Sequence, residues 1–151
     1  MKFTAVEEIA APAAHVWNRV ADFDGFEKRV AGRTGSVTRE PQGAVSPGTR
    51  WSAKAELGGK MRDATVTLKE LDPGRSMVLE GGTEGMTIIV DVTVDVLDAA
   101  TSRLTVVSEA KARTMTGRLL LQSAKIAKGK METRYRDRVA GFARKIAKSA
   151  A

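Results

Sequence analysis

Ser108, Tyr135, Lys128, His15 and the pair Asp22/Asp24 are the residues of this chain whose types and settings invite chemistry. Ser108 is the one polar member of the alternating set Leu104, Val106, Ser108, Ala110; a hydroxyl there serves a reaction or bonds a neighbouring carbonyl. Tyr135, the only tyrosine, stands on an apolar helical stripe and either offers its hydroxyl to a ligand or packs with it at the rim. Lys128 falls between Leu121 and Tyr135 on a helical wheel, inside the apolar arc. An ammonium there snorkels to an edge or faces a cavity, where it pairs an anionic head such as a carboxylate or enolate. Gly129 beside it loosens the helix. His15, one turn into the first helix and off its apolar stripe, reads as a surface residue. Asp22 and Asp24 flank Phe23 at the end of that helix with no third ligand clustered near them, and read as loop residues of the Asx-turn kind. Gly58-Gly59-Lys60 and Gly81-Gly82 read as hairpin turns; neither precedes a helix, so neither is a phosphate loop. These residues compose no catalytic constellation, no cofactor site and no metal site.

Composition narrows the field further. The chain has 151 residues, 42% of them hydrophobic and 28% charged, which fits one domain large enough to bury a core and enclose a cavity. Cysteine is absent and His15 is the sole histidine, which excludes disulfides, thiolate chemistry and multi-histidine zinc patterns. No apolar run approaches the roughly 18 residues of a bilayer span and no signal-peptide core follows Met1, so a cytoplasmic protein is expected. The formal charge of +7 is unevenly placed. Residues 115–151 carry 10 basic and 2 acidic side chains, whereas residues 1–114 carry 15 and 16.

The elements that must position these groups follow from periodicity. Lys2–Ile9 reads as a strand stopped by Ala10-Ala11-Pro12, and Ala13–Ala21 as a short helix with Val16, Trp17 and Val20 on one face. A second short helix is expected over Phe26–Ala31, closed by Gly32. From Thr34 to Arg113 the pattern alternates, with about six strand-length segments between turn signals. Met86, Ile88, Val90, Val92, Val94 and Val96 oppose Thr87, Asp91, Thr93 and Asp95; Trp51, Ala53, Ala55 and Leu57 form a similar inward set. One dry and one wet face mark an antiparallel sheet. After Thr114 the period returns to helical: Leu120, Ala124, Ala127, Met131, Tyr135, Val139, Phe142 and Ile146 form the stripe of one continuous long helix, fraying over Lys148–Ala151. The chain is therefore expected to be α+β: a curved antiparallel sheet of about seven strands wrapped around a long C-terminal helix, with two short helices after the first strand. A concave sheet gripping one helix closes imperfectly at its ends, and a cavity belongs in that gap.

That order, with Ala11-Pro12, Val16-Trp17, Val20-Ala21-Asp22, Phe26, Pro47-Gly48-Thr49-Arg50-Trp51 and Leu71-Asp72-Pro73-Gly74-Arg75-Ser76, resembles the START/Bet v 1-like (SRPBCC) superfamily, the helix-grip fold labelled polyketide cyclase/dehydrase and lipid transport. Gly59–Arg75 and Leu79–Gly82 are also similar to the carbon monoxide dehydrogenase branch of that superfamily. The resemblance covers residues 1–151 as a single domain and implies a pocket for a hydrophobic ligand. Its motifs are structural, a helix start, a core tryptophan and a turn, and they carry the fold rather than a reaction. Phe23, Phe26, Trp51, Met77, Met86, Ile88, Leu120, Ala124 and Met131 are expected on the pocket wall, with Ser108, Lys128 and Tyr135 as its polar contacts. A wall so poor in fixed polar groups suits a lipid, polyketide or aromatic ligand.

Binding or transport of such a ligand is thus the expected function. A cyclase or dehydratase acting on it is the alternative, with the pocket folding and desolvating the substrate. A second alternative uses the basic C-terminal helix, with Lys130, Arg134, Arg144, Lys145 and Lys148 on one side of the stripe and Arg118, Lys125 and Arg136 on the other. It would dock on anionic lipid headgroups or on RNA. Nucleic acid fits less well, because few aromatics interleave these charges.

Overall fold

The computed structural model describes residues 1–57, 59–83 and 85–150; the Leu57 side chain, Gly58 of the expected Gly58-Gly59 turn and Ala151 lie outside the described residues. Strand β1 (Lys2–Ile9) leads into helices α1 (Ala13–Val20) and α2 (Phe23–Thr34). Strands β2 (Val37–Glu40), β3 (Arg50–Leu57), β4 (Lys60–Asp72), β5 (Ser76–Thr83), β6 (Met86–Val96) and β7 (Ser102–Ala112) follow, then helices α3 (Met115–Ile126) and α4 (Lys128–Ala150). The seven strands form one antiparallel sheet in the order β1-β7-β6-β5-β4-β3-β2, so each consecutive pair from β2 to β7 is joined locally and β1 closes the far edge against β7. This is the curved antiparallel sheet that the alternating pattern requires.

Four boundaries depart from the sequence expectation, each for a local reason. Helix α2 is longer than Phe26–Ala31 because Asp22 caps it: the Gly25 N–H donates to Asp22 Oδ1 at 3.1 Å. It runs through Gly32 and ends at Gly35, whose φ of 96° is the left-handed conformation that closes helices. Gly81-Gly82 is not a turn but the interior of β5, where Gly81 pairs with Val66 on one side and Ile88 on the other. Two neighbouring strands override glycine's weak preference; the turn falls three residues later, at Gly85 with φ 77°. The C-terminal helix is two helices, because Ala127 leaves helical geometry (φ −101°, ψ 17°) and its N–H reaches back to Ala124. Beyond it, the helix continues through Ala150 instead of fraying at Lys148.

The core lies where α1 and α4 cross the concave face. Val16, Trp17 and Val20 of α1 and Ala143 and Ile146 of α4 pack with Leu68, Met77, Val92, Val94 and Leu104 from four strands. His15 ties the two helices together, its Nε2 lying 2.8 Å from Ser149 Oγ and 3.2 Å from the Ile146 carbonyl; it is half-buried rather than a free surface residue. Ser102, fully buried, donates to the Ala11 carbonyl at 2.6 Å and fixes the chain between β1 and α1. Opposite, a bulge between Leu68 and Glu70 bends β4, and the Ser46–Thr49 loop docks there: Gly48 N–H donates to Leu68 O and Leu68 N–H to Thr49 O. In the β6–β7 turn the Asp98 carboxylate accepts from Thr101 and the Ala100 N–H, which holds it below its ordinary value.

Candidate functional site

The helices do not cover the sheet evenly. Helix α4 packs on β1 and α1, at one edge, whereas α2 packs on β2 and β3, at the other. Strands β4 and β5 lie between these two edges. The space left over their inner face is a cavity of about 550 Å³. Its floor comes from alternating positions of adjacent strands: Trp51, Ala53 and Ala55 of β3, Ala64 and Val66 of β4, Met77 and Leu79 of β5, Val92 of β6, Leu104 and Val106 of β7. Ala53 and Ala64 are direct cross-strand partners, so two small side chains stand side by side and deepen the floor. Helix α2 supplies Phe23, Phe26, Glu27 and Val30, and α4 supplies Arg138, Val139 and Phe142. Phe26 and Phe142 meet across the gap with ring centroids 6.0 Å apart, and Phe23 stacks on Trp51 at 5.4 Å.

One polar cluster borders this apolar space. Glu27 Oε1 accepts from Trp51 Nε1 at 2.6 Å and from Arg39 Nε at 2.5 Å. Arg39 also bonds Asp24 at 2.5 Å and the Gly43 carbonyl at 2.6 Å. The carboxylates of Glu27 and then Asp24 hold the Arg39 guanidinium above its ordinary pKa. The cluster joins α2, β2 and β3 and orients the indole on the cavity wall. Asp22 and Asp24 therefore have different duties, one capping α2 and the other pairing with Arg39. Glu27→Ala leaves the indole N–H without its acceptor and Arg39 with one carboxylate. It is expected to lower stability by about 1–3 kcal/mol, with Glu27→Gln intermediate, in urea unfolding.

Of the side chains expected at a pocket, Phe23, Phe26, Trp51 and Met77 line this cavity. Ser108 and Tyr135 come together elsewhere: their hydroxyls are 3.0 Å apart, and Tyr135 donates to the Val106 carbonyl at 3.1 Å while its ring packs on Phe3. Met86 and Ile88 are half-buried at the start of β6, opposite Ala112 and Ala110. Leu120 and Ala124 are half-buried on α3, and Lys128 and Met131 are exposed at the start of α4. None of these last six is on the cavity lining. Val139 and Phe142 stand on the helical stripe, and Ala53, Ala64 and Val106 on the alternating inward sets; what the pattern lacks is where along the sheet α4 sits. Glu27 and Arg39 carry no signal beyond Glu27 lying one helical turn after Asp24. Among the described residues no group of three His, Asp or Glu side chains is placed to hold a metal ion, and no helix is long and apolar enough to cross a membrane.

Solved structures share this architecture. The protein TTHA0849 of Thermus thermophilus matches 100% of this chain over 100% of its own, at 15% identity and a TM-score of 0.68. The Zhui aromatase/cyclase of Streptomyces sp. R1128 matches 95% of this chain and 93% of its own at 18% identity, TM-score 0.65. Ara h 8.0201 matches 99% of this chain and 97% of its own at 14% identity, TM-score 0.59. At such identities the likeness is one of fold. A comparison with curated protein sequences finds no match. The family model described as polyketide cyclase / dehydrase and lipid transport matches residues 1–147. With the seven-stranded sheet, the helix it grips and the cavity between them, the chain belongs to that family, within the START/Bet v 1-like (SRPBCC) superfamily.

Proposed function

We propose that the protein binds a small, mainly apolar ligand (a lipid, polyketide or aromatic compound) in the cavity between sheet and α4, and carries it without transforming it. The observation behind this reading is the cavity's apolar wall. Phe26, Val30 and Val66 are exposed large hydrophobics that all line it, so the fold leaves apolar surface uncovered there at a cost that a ligand would relieve. A volume of about 550 Å³ is in the range of small-molecule sites. The charged side chains on the lining are Glu27, Lys54 and Arg138. The two cations would suit a ligand with one anionic or hydroxyl-bearing end.

A cyclase or dehydratase would use the same cavity to fold and desolvate its substrate and would need an acid or base inside it. Glu27, the one carboxylate on the lining, is already engaged by Trp51 and Arg39, and the Ser108–Tyr135 pair lies off the lining. Binding is accordingly the primary reading. Titration with N-phenyl-1-naphthylamine tests it: saturable one-to-one uptake is expected, and absence of uptake contradicts it.

A further inference from the structure

Helix α3 has two apolar faces. Gly117, Leu120, Leu121 and Ala124 turn inward, buried or half-buried, and the helix is anchored where Gly117 meets the Gly85 backbone so closely that a Cβ would lie 2.3 Å from the Gly85 carbonyl oxygen. At spacings of four and seven, Met115, Leu119 and Ile126 lie together on the opposite face, where they are 69%, 58% and 91% exposed. Arg118 and Lys125 flank them, and Lys128 and Lys130 follow at the start of α4, all exposed. No aspartate or glutamate occurs between Glu109 and Glu132.

We infer that the outer face of α3 is a docking surface for an anionic lipid bilayer, with Met115, Leu119 and Ile126 entering the headgroup boundary and the surrounding cations meeting lipid phosphates. The charge pattern selects this partner. A second copy would bring the same cations against their own kind. RNA would leave three large aliphatic side chains unused and would find no aromatic residue from Met86 to Arg134 to stack on its bases. Met115, Leu119 and Ile126 stand off the cavity lining, so the surface is independent of ligand binding.

Cosedimentation with phosphatidylglycerol/phosphatidylcholine vesicles tests the assignment, with pure phosphatidylcholine vesicles as the neutral arm. Binding to the anionic vesicles that weakens with salt is expected. Leu119→Ser with Ile126→Ser should reduce it more than about tenfold, and Arg118→Gln or Lys125→Gln about fivefold each. Uptake of N-phenyl-1-naphthylamine should be retained in all of them. Absence of vesicle binding, binding unaffected by the serine pair, or loss only together with probe uptake would overturn it. So would a dimer that the serine pair dissolves, or RNA binding that out-competes the vesicles.

Discussion

Ala64→Phe is expected to close the cavity to an apolar probe while leaving the protein folded. Ala64 stands on the cavity floor directly across from Ala53, and a phenyl ring at that point projects into the space of about 550 Å³ rather than into packed core. A ligand denied about 100 Å² of apolar contact loses about 2.5 kcal/mol, roughly seventyfold in affinity. The strand accepts the change, since aromatic residues favour strand backbone. Ala53→Phe should act alike from the neighbouring strand. Probe titration beside a thermal melt reads both: uptake falls and the melting midpoint holds. Unchanged uptake in both variants would place the ligand elsewhere.

The largest loss of stability is expected from Ile146→Ala. Ile146 is fully buried in the core that α4 shares with α1 and the sheet, and α4 has only its C-terminal half in that core. Truncation there removes transfer energy and leaves a void, at about 2–5 kcal/mol. For a chain of this size that lowers the melting midpoint by about 4–20 °C. Leu119→Ser, on the exposed face of α3, should change stability by less than about 0.5 kcal/mol, which makes it the matched control.

The contrast between those two aliphatic positions shows what one-dimensional periodicity conveys. The stripe from Leu120 to Ile146 and the alternation from Trp51 to Ala110 suffice for a seven-stranded sheet gripping a C-terminal helix, because helix and strand periods report which side chains must leave water. They do not report where a helix lies along a sheet. Tyr135, Val139, Phe142 and Ile146 reach the sheet or the core, whereas Ala127 and Met131, on the same stripe, are exposed at and beyond the break in the helix. A wall assembled from the whole stripe therefore extends past the cavity, to Leu120, Ala124, Lys128 and Met131. Gly81-Gly82 departs from the local pattern for a related reason: pairing with β4 and β6 is a long-range fact that glycine's turn preference does not contain. Arg39, Glu27 and Trp51 come from three elements, and their junction is legible only once those elements are packed together.

The positive charge has a similar history. It sits on α3 and α4, and part of it surrounds an apolar face on α3 rather than merely solvating the outside of a buried helix. Cavity and surface are separate features with separate variants: Ala64→Phe addresses one and the Leu119/Ile126 serine pair the other.

Native mass spectrometry of freshly purified protein, paired with the same measurement on Ala64→Phe, tests ligand binding in the cavity most directly. A co-purified apolar compound, or an added one at one-to-one stoichiometry, is expected on the natural chain and should be lost from the variant. An unliganded natural chain that also refuses added apolar compounds, or a ligand retained equally by Ala64→Phe, would contradict it.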